Sequence, residues 1–220
     1  MVLSVMKKDL VLAAKELFDA GLVLPGEGNV SMRLPGEEAM LITPTANRYS
    51  DLEPDDLVVA GFDGIVDERR SGQRPPSSEF RIHAAVFRQR PRVDAVVHVH
   101  PPETVAHAVL GMPIPLIVEE MAILLGGEIP CAPYRRTGTD QLVDAVLGSL
   151  GTGNAVMFAN HGLLTCGRSL TDAVDTVYIV EKLAGVHRKA KSLADGELPR
   201  IPESERRELV KIFRERFATD

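Results

Sequence analysis

The apolar positions of the chain alternate between the spacing of amphipathic helices and the short runs of buried strands. From residue 6 to residue 20, apolar side chains recur every three to four positions, which predicts a helix that ends at Gly21. Similar patterns predict further helices at 79–90, 102–110, 118–125, 139–150, 171–193 and 203–217. Ser77 or Ser78 would cap the helix at 79–90, and Thr139 would cap the helix that ends at residue 150.

Runs rich in β-branched residues predict strands at 30–34, 39–43, 95–100, 155–159 and 163–166. Segments 57–60 and 64–66 would form a hairpin around Phe62-Asp63, and 129–134 would be extended but broken up by Pro130 and Pro133. The strands and helices interleave without a regular βαβ spacing. The pattern therefore favours one domain over residues 1–220, of the α/β class, with a mixed or antiparallel sheet covered by helices.

Bulk composition narrows the class of protein. The net charge of −6 gives no basic surface for nucleic acid or for an anionic membrane. No apolar run approaches the length of a transmembrane helix, and the start MVLSVMKKDL lacks a signal-peptide core, so we expect a cytoplasmic protein. Cys131 and Cys166 are too few for a disulfide framework and are expected to be buried, reduced thiols.

The strand that ends at Pro101-Pro102 carries the first candidate chemistry. Side chains alternate across a strand, so His98 and His100 project from the same face. Two imidazoles at a rigid strand end are suitable ligands for a divalent metal such as zinc. The alternative for this pair alone is two histidines hydrogen-bonded to backbone or water.

A third histidine and a carboxylate extend the interpretation. His161 follows another buried strand, in a loop that Gly162 constrains. Three histidines from two strands would leave tetrahedral zinc one open or carboxylate-filled position, which is the pattern of catalytic sites. Glu79 is the best carboxylate candidate, since it opens a helix directly after two serines. That helix start could bind a phosphate, although helix capping is the simpler role of Ser77 and Ser78.

These residues belong to a series of motifs that resembles the class II aldolase/adducin-head family. The similarity runs in the same order from about residue 10 to residue 193. The sequence is most similar to the L-fuculose-1-phosphate aldolases, with L-ribulose-5-phosphate 4-epimerase as a sister group. The motifs that carry the resemblance are Gly28-Asn29-Val30-Ser31, Thr43-Pro44-Thr45, Pro76-Ser77-Ser78-Glu79 followed by His83, His98-Val99-His100, the nine residues 126–134, and Asn160-His161-Gly162-Leu163.

The resemblance implies a three-layer α/β/α sandwich with a largely antiparallel mixed sheet, assembled as a homotetramer. It implies zinc, or another divalent ion such as Mn²⁺ or Co²⁺, bound by His98, His100 and His161, with Glu79 near the metal as acid and base. By the same resemblance, the phosphate of a sugar phosphate would lie against Asn29, Thr45, Ala46, Ser77 and Ser78.

The chain also departs from the family pattern. A tyrosine that the fuculose-phosphate aldolases contribute from a neighbouring subunit aligns with Glu120, which makes Glu120 a candidate second acid. No tyrosine follows Tyr178, so a second, C-terminal tyrosine is absent. Ala46 replaces a glycine of the phosphate loop, and Glu27 is an additional acid beside that loop.

The expected activity is cleavage of a ketose or deoxyketose 1-phosphate into dihydroxyacetone phosphate and an aldehyde. The same site could instead serve 4-epimerisation, dehydration or decarboxylation. A non-catalytic, adducin-like head is a third hypothesis, but it fits poorly with a complete set of three histidines and Glu79. Of the other histidines, His83 is expected to pack against or orient Glu79, and His107 and His187 to be ordinary helix residues.

Overall fold

The fold is given by a computed structural model that describes residues 2–46 and 48–217. Helices begin and end where apolar periodicity predicts, within a few residues. They are α1 (Val2–Asp19), α2 (Phe80–Gln89), α3 (Pro102–Val109), α4 (Glu119–Leu125), α5 (Asp140–Leu150), α6 (Leu170–Leu193) and α7 (Glu203–Phe217). The strands are β1 (Asn29–Arg33), β2 (Ala39–Ile42), β3 (Val58–Gly61), β4 (Ala95–Val99), β5 (Cys131–Ala132), β6 (Ala155–Phe158) and β7 (Leu163–Gly167).

These strands form a seven-stranded sheet in the order β3-β2-β1-β4-β7-β6-β5. All neighbours pair antiparallel except β5 and β6, which are parallel. Strand β4 lies in the middle of the sheet, where its His98 is the register partner of Asn29 on one side and of Leu164 on the other. The largely antiparallel mixed sheet predicted from the sequence is confirmed.

Each face of the sheet carries its own apolar core, and the two cores define three layers. On one face, side chains such as Val97 and Val99 pack with α1, α3, α4 and α6. On the other, side chains such as Val96 and Val156 pack with α2 and α5. Consecutive strand residues point to opposite faces, so a run such as Val96-Val97 supplies both cores. The α/β/α sandwich is thereby confirmed.

Of three local predictions, one holds in a reduced form, one is confirmed, and one, the N-cap of α2, is wrong. The segment 64–66 folds back on 57–60 around Phe62-Asp63, as predicted, but it pairs through an isolated antiparallel bridge of Ala60 with Val66 and forms no second strand; Gly64 closes the turn by donating its N–H to the carbonyl oxygen of Gly61. The segment 129–134 is extended and broken up by Pro130 and Pro133, as predicted: β5 lies between the two prolines, and Ile129 forms an isolated bridge to Ile114. The N-cap of α2 is Glu79 itself rather than either serine.

Two histidines and the two cysteines were not assigned to the site, and they lie elsewhere in the fold. His107 and His187 are buried, and their ring nitrogens Nε2 and Nδ1 lie 2.8 Å apart between α3 and α6. Both cysteines are free, with Cys166 buried and Cys131 only half-buried. Among the described residues, no helix combines the length and apolar character that crossing a bilayer requires.

Candidate metal centre and active site

The three predicted histidines lie together at one end of the sheet. His98 belongs to β4, His100 follows it directly, and His161 lies in the turn between β6 and β7. One ring nitrogen from each histidine can be chosen so that all three lie within 4.8 Å of one another. The structure therefore brings together residues from two parts of the chain as the sequence predicts, at a separation that one metal ion can bridge.

The turn that carries His161 is shaped by its neighbours. Asn160 adopts the left-handed backbone conformation with φ 57°, which asparagine tolerates better than most residues. A Cβ on Gly162 would lie 2.5 Å from His100 Cδ2 and 2.7 Å from the carbonyl oxygen of Val99. A glycine is therefore required at position 162 for the turn to approach the histidines of β4.

A backbone hydrogen bond fixes the orientation of His98. Its Nδ1 lies 2.8 Å from the carbonyl oxygen of Leu163, and a carbonyl can only accept. Nδ1 therefore carries a proton, and Nε2 faces Nε2 of His100 at 3.1 Å. The ring also stacks on Phe158, with centroids 5.3 Å apart.

Glu79 faces the histidines from the start of α2. Its Oε2 lies 3.1 Å from His98 Nε2, and its Oε1 lies 3.4 Å from His161 Nε2. Asn29 Nδ2 donates a hydrogen bond of 3.0 Å to Oε2. Within the part of the chain that the structure describes, Oε1 is buried and accepts no hydrogen bond.

The donor set fits a divalent metal. The Nε2 atoms of His98 and His100 lie 3.1 Å apart, close enough for one cation to accept an electron pair from each. The buried Oε1 of Glu79 is a further donor without a hydrogen-bond partner among the described residues, and three imidazoles with one carboxylate are a common zinc set. The residues present therefore fit the metal that the family resemblance implies.

Burial and charge set the protonation of the site. Burial alone would raise the pKa of Glu79, but the charges of His98 and His161, with hydrogen bonds from His98 and Asn29, hold that pKa well below its usual range. Burial lowers the pKa of His161 to about 4, and it lowers the pKa of His100 as well. Burial alone would lower the pKa of His98, but the charge of Glu79 and the hydrogen bond to it raise that pKa above its usual value. Near neutral pH, Glu79 is therefore ionised and His100 and His161 are neutral, whereas a metal ion that binds His98 must displace a proton from it.

A cavity of about 190 Å³ opens beside these residues. Its lining contains all five predicted phosphate-binding residues together with Glu79 and two of the three histidines. The lining residues are Gly26, Glu27, Gly28, Asn29, Pro44, Thr45, Ala46, Ser77, Ser78, Glu79, His100, Thr137 and His161.

Backbone hydrogen bonds hold the two loops of the predicted phosphate site together. Thr45 N–H donates to the carbonyl oxygen of Pro75, and Ser77 N–H donates to that of Thr43, both at 3.1 Å. Ser77 Oγ in turn accepts the N–H of Glu79 at 3.3 Å. Ala46 lies in this cradle with φ 50°, a left-handed conformation that glycine adopts without strain.

Glu120 and His83, to which the sequence analysis gave a possible role at the site, do not line the cavity within the described residues. Glu120 is exposed on α4 and does not line the cavity within the described chain, so its role as a second acid stays a prediction. His83 is fully buried, and its Nδ1 lies 2.6 Å from Ser31 Oγ rather than on Glu79. His83 therefore packs beneath the site.

Sequence reasoning missed Thr137 and the contact made by Glu27. Thr137 lines the cavity from the loop that joins β5 to α5. Glu27 Oε1 lies 3.5 Å from His100 Nδ1. The signal for Thr137 was its polar, glycine-flanked loop directly after the 126–134 motif, and the signal for Glu27 was a carboxylate next to the motif Gly28-Asn29.

Comparison with known proteins identifies the family of the chain. The family described as Class II Aldolase and Adducin N-terminal domain matches residues 8–187. The match spans most of the chain, and the chain belongs to this family.

Similar proteins carry aldolase names. The chain is 32% identical over 213 residues to 5-deoxy-D-ribulose 1-phosphate aldolase of Bacillus thuringiensis serovar kurstaki, covering 97% of each chain. It is 34% identical to 5-methylthioribulose-1-phosphate/5-deoxyribulose-1-phosphate aldolase of Rhodospirillum rubrum, covering 95% of this chain and 91% of that protein. A solved structure of L-fuculose 1-phosphate aldolase superposes with a TM-score of 0.87 at 29% identity, over 94% of this chain and 95% of that one.

Proposed function

We propose that this protein is a metal-dependent class II aldolase that cleaves a ketose or deoxyketose 1-phosphate into dihydroxyacetone phosphate and an aldehyde. One observation carries the proposal. Three histidine ring nitrogens within 4.8 Å of one another adjoin the Glu79 carboxylate, at the edge of a cavity lined by the hydroxyl residues Thr45, Ser77 and Ser78. That arrangement combines a metal site, a proton-transfer group and a phosphate cradle around a single small cavity.

The phosphate end of the substrate is assigned to the loops that Thr45 and Ser77 hold together. Hydroxyl groups and the start of α2 favour an anion there without a lysine or arginine among the lining residues. Asn29 lies between this cradle and the histidines, because it lines the cavity and also bonds to Glu79. A ketose 1-phosphate would then place its carbonyl near the metal.

His98, His100, His161 and Glu79 would hold the metal. When bound, the ion supplies a Lewis acid that stabilises the negative charge developing on the substrate as its C3–C4 bond breaks. In cleavage the C4 hydroxyl loses a proton as it becomes the aldehyde, and C3 gains one. Glu79, which is ionised, would swing off the metal, take up a proton and deliver it to C3; in the reverse direction it would remove the C3 proton. Asn29 keeps the carboxylate oriented through its hydrogen bond of 3.0 Å to Oε2.

Zinc is the first choice of metal, since nitrogen-rich tetrahedral donor sets favour it. Mn²⁺ and Co²⁺ are the alternatives, because imidazole and carboxylate also suit them. The same donors would serve 4-epimerisation, dehydration or decarboxylation, so the products must be analysed to identify the reaction. An intact set of three histidines and Glu79 argues against a purely structural, adducin-like role.

We further propose a cytoplasmic homotetramer in which Glu120 of one subunit reaches the cavity of a neighbour. Support comes from α1, where Val2, Val5 and Leu12 share one side of the helix and are each more than half exposed, at 65%, 54% and 66%. An apolar stripe of this kind favours burial against another subunit. Light scattering at working concentration tests the assembly, and a monomer with full activity would contradict it.

The reaction is tested by a retro-aldol panel. The purified, metal-loaded protein is incubated with several ketose and deoxyketose 1-phosphates, and dihydroxyacetone phosphate is measured. The relatives are named for 5-deoxyribulose 1-phosphate and fuculose 1-phosphate, so these two compounds come first. Release of dihydroxyacetone phosphate from at least one substrate is expected. Conversion of the substrates without its release would instead favour epimerisation, dehydration or decarboxylation.

A further inference from the structure

Glu27 lies against the outer side of a predicted metal ligand, and neither the family motif nor the proposed reaction gives it a role. Its Oε1 is 3.5 Å from Nδ1 of His100. The Nε2 atom of the same ring faces His98. Glu27 therefore contacts the side of the imidazole that points away from the other histidines.

The backbone holds Glu27 in this place. Glu27 N–H donates to the carbonyl oxygen of Leu24, and Leu24 N–H donates to Oε2 of Glu27, each at 3.0 Å. These reciprocal bonds close a tight turn and leave Oε1 free to face His100. Gly26 and Gly28 flank Glu27 with φ 87° and 69°, so the turn depends on two left-handed glycines.

The same segment is attached to the strand that bears the ligands. The N–H of His100 donates to the carbonyl oxygen of Leu22 at 3.1 Å. A Cβ on Gly28 would lie 2.7 Å from the carbonyl oxygen of His98. The turn that carries Glu27 is therefore packed closely against β4, and the position of its carboxylate relative to His100 is set by backbone contacts.

A carboxylate on Nδ1 has a chemical consequence for Nε2. An ionised carboxylate accepts hydrogen bonds and donates none, so Glu27 favours the His100 tautomer that carries its proton on Nδ1. That tautomer leaves the Nε2 lone pair for a metal ion. The carbonyl oxygen of Leu163 favours the same tautomer in His98, but it is neutral, whereas the carboxylate of Glu27 carries a full negative charge.

From this geometry, and resting on the metal site of the proposed function, we infer that Glu27 is a positioning residue that orients His100 and strengthens its bond to a divalent metal. Carboxylates on the outer nitrogen of a metal-binding histidine raise the basicity of the ligand and fix its orientation. With Glu79, Glu27 also supplies a second negative charge, so the two carboxylates together balance a divalent ion.

The competing role for Glu27 is contact with substrate, since it also lines the cavity. The two roles differ in what Glu27→Gln changes. Glutamine keeps the size and the hydrogen-bonding capacity but removes the charge. A positioning role weakens binding of the metal in the absence of any substrate, whereas a substrate contact raises KM and leaves metal binding unchanged.

The experiment measures the zinc affinity of substrate-free protein by competition with a chromophoric chelator. Wild type is compared with Glu27→Gln and with Glu68→Gln, which removes an equal charge from an exposed loop residue. Loss of a partner on a ligand histidine typically weakens metal binding by about tenfold to a hundredfold. We expect a loss of that size for Glu27→Gln and an unchanged affinity for Glu68→Gln.

Two further readouts separate the outcomes. The visible absorption spectrum of the cobalt-substituted protein should shift in Glu27→Gln, because the ligand field of His100 changes, while melting of the metal-free proteins should agree. Wild-type affinity and spectrum in Glu27→Gln would overturn the inference and leave the proposed function intact. If the wild type itself bound no metal, the metal-dependent function would fail together with this inference.

Discussion

Asn29 Nδ2 donates a hydrogen bond of 3.0 Å to Oε2 of Glu79, across 50 residues of sequence. Asn29 is also the register partner of His98 in the neighbouring strand. Directly opposed residues of paired strands present their side chains on the same face, so β1 and β4 deliver Asn29 and His98 to one carboxylate. The acid of the proposed reaction is thus held by the sheet as well as by its own helix.

The first prediction concerns the turn at Gly162. In Gly162→Ala, the new Cβ would meet backbone of β4 and the ring of His100, so the histidines must separate. We expect the zinc affinity to fall by tenfold or more, on the order of the loss of a ligand's support. Chelator competition measures it. Gly148→Ala is the matched control, since an added Cβ meets nothing within 4 Å there, and it should keep wild-type affinity.

The second prediction concerns the phosphate cradle. Ser78→Ala removes a hydroxyl that lines the cavity, whereas Ser192→Ala removes an exposed one from α6. A hydrogen bond to a charged group contributes about 1.5–3 kcal/mol, which corresponds to at least tenfold in affinity. Steady-state kinetics should show KM raised by about tenfold for Ser78→Ala alone. An unchanged KM would remove Ser78 from the phosphate site.

The third prediction concerns Ala46. A residue with a Cβ is strained in the left-handed conformation, by about 1 kcal/mol or more, and glycine is not. Ala46→Gly should therefore raise the free energy of unfolding by roughly 0.5–1 kcal/mol after the entropy cost of glycine. Urea unfolding measures it. The same change in a regular helix, Ala190→Gly in α6, should lower stability. Parallel losses in both variants would show that Ala46 is not strained.

The fourth prediction concerns acid stability. Burial lowers the pKa of His83 from 6.5 to about 3, and the charge of His98 contributes a smaller part of that decrease. Below about pH 6.5 the unfolded chain binds a proton at His83 that the folded chain excludes. Stability from this residue is therefore complete above pH 6.5 and falls as pH drops toward 3. In His83→Gln, the loss of stability between pH 6.5 and 5 should be smaller, by an amount per pH unit that approaches about 1.4 kcal/mol as the pH nears 5. Equal slopes in urea unfolding would contradict the assignment.

Much of the fold and the grouping of the three histidines could be predicted because the signals are local. Alternation along β4 places His98 and His100 on one side of the strand, and periodicity alone locates the helices. The interruption of the segment 129–134 could be predicted as well, because Pro130 and Pro133 have no N–H to donate and leave only the two residues of β5 between them.

The remaining features depend on contacts between distant segments. The contact of Glu27 with His100 needs a turn whose reciprocal hydrogen bonds become visible only in three dimensions. Thr137 reaches the cavity because its loop follows the edge strand β5, and the sequence alone does not show where that loop leads. Ser77 has a strong capping propensity, but Glu79 takes the N-cap and Ser77 instead accepts its N–H.

The central claim is that the histidines supply the metal and Glu79 supplies the proton transfer. Its most direct test measures zinc content and the rate of dihydroxyacetone phosphate release on the same preparations of wild type, His100→Ala and Glu79→Gln. We predict that His100→Ala loses both metal and turnover. Glu79→Gln should keep zinc on the three histidines while its turnover falls by about a hundredfold or more, the contribution of a positioned acid–base group. A zinc-replete Glu79→Gln protein with a near wild-type rate would contradict the account and transfer the acid–base role to Glu120.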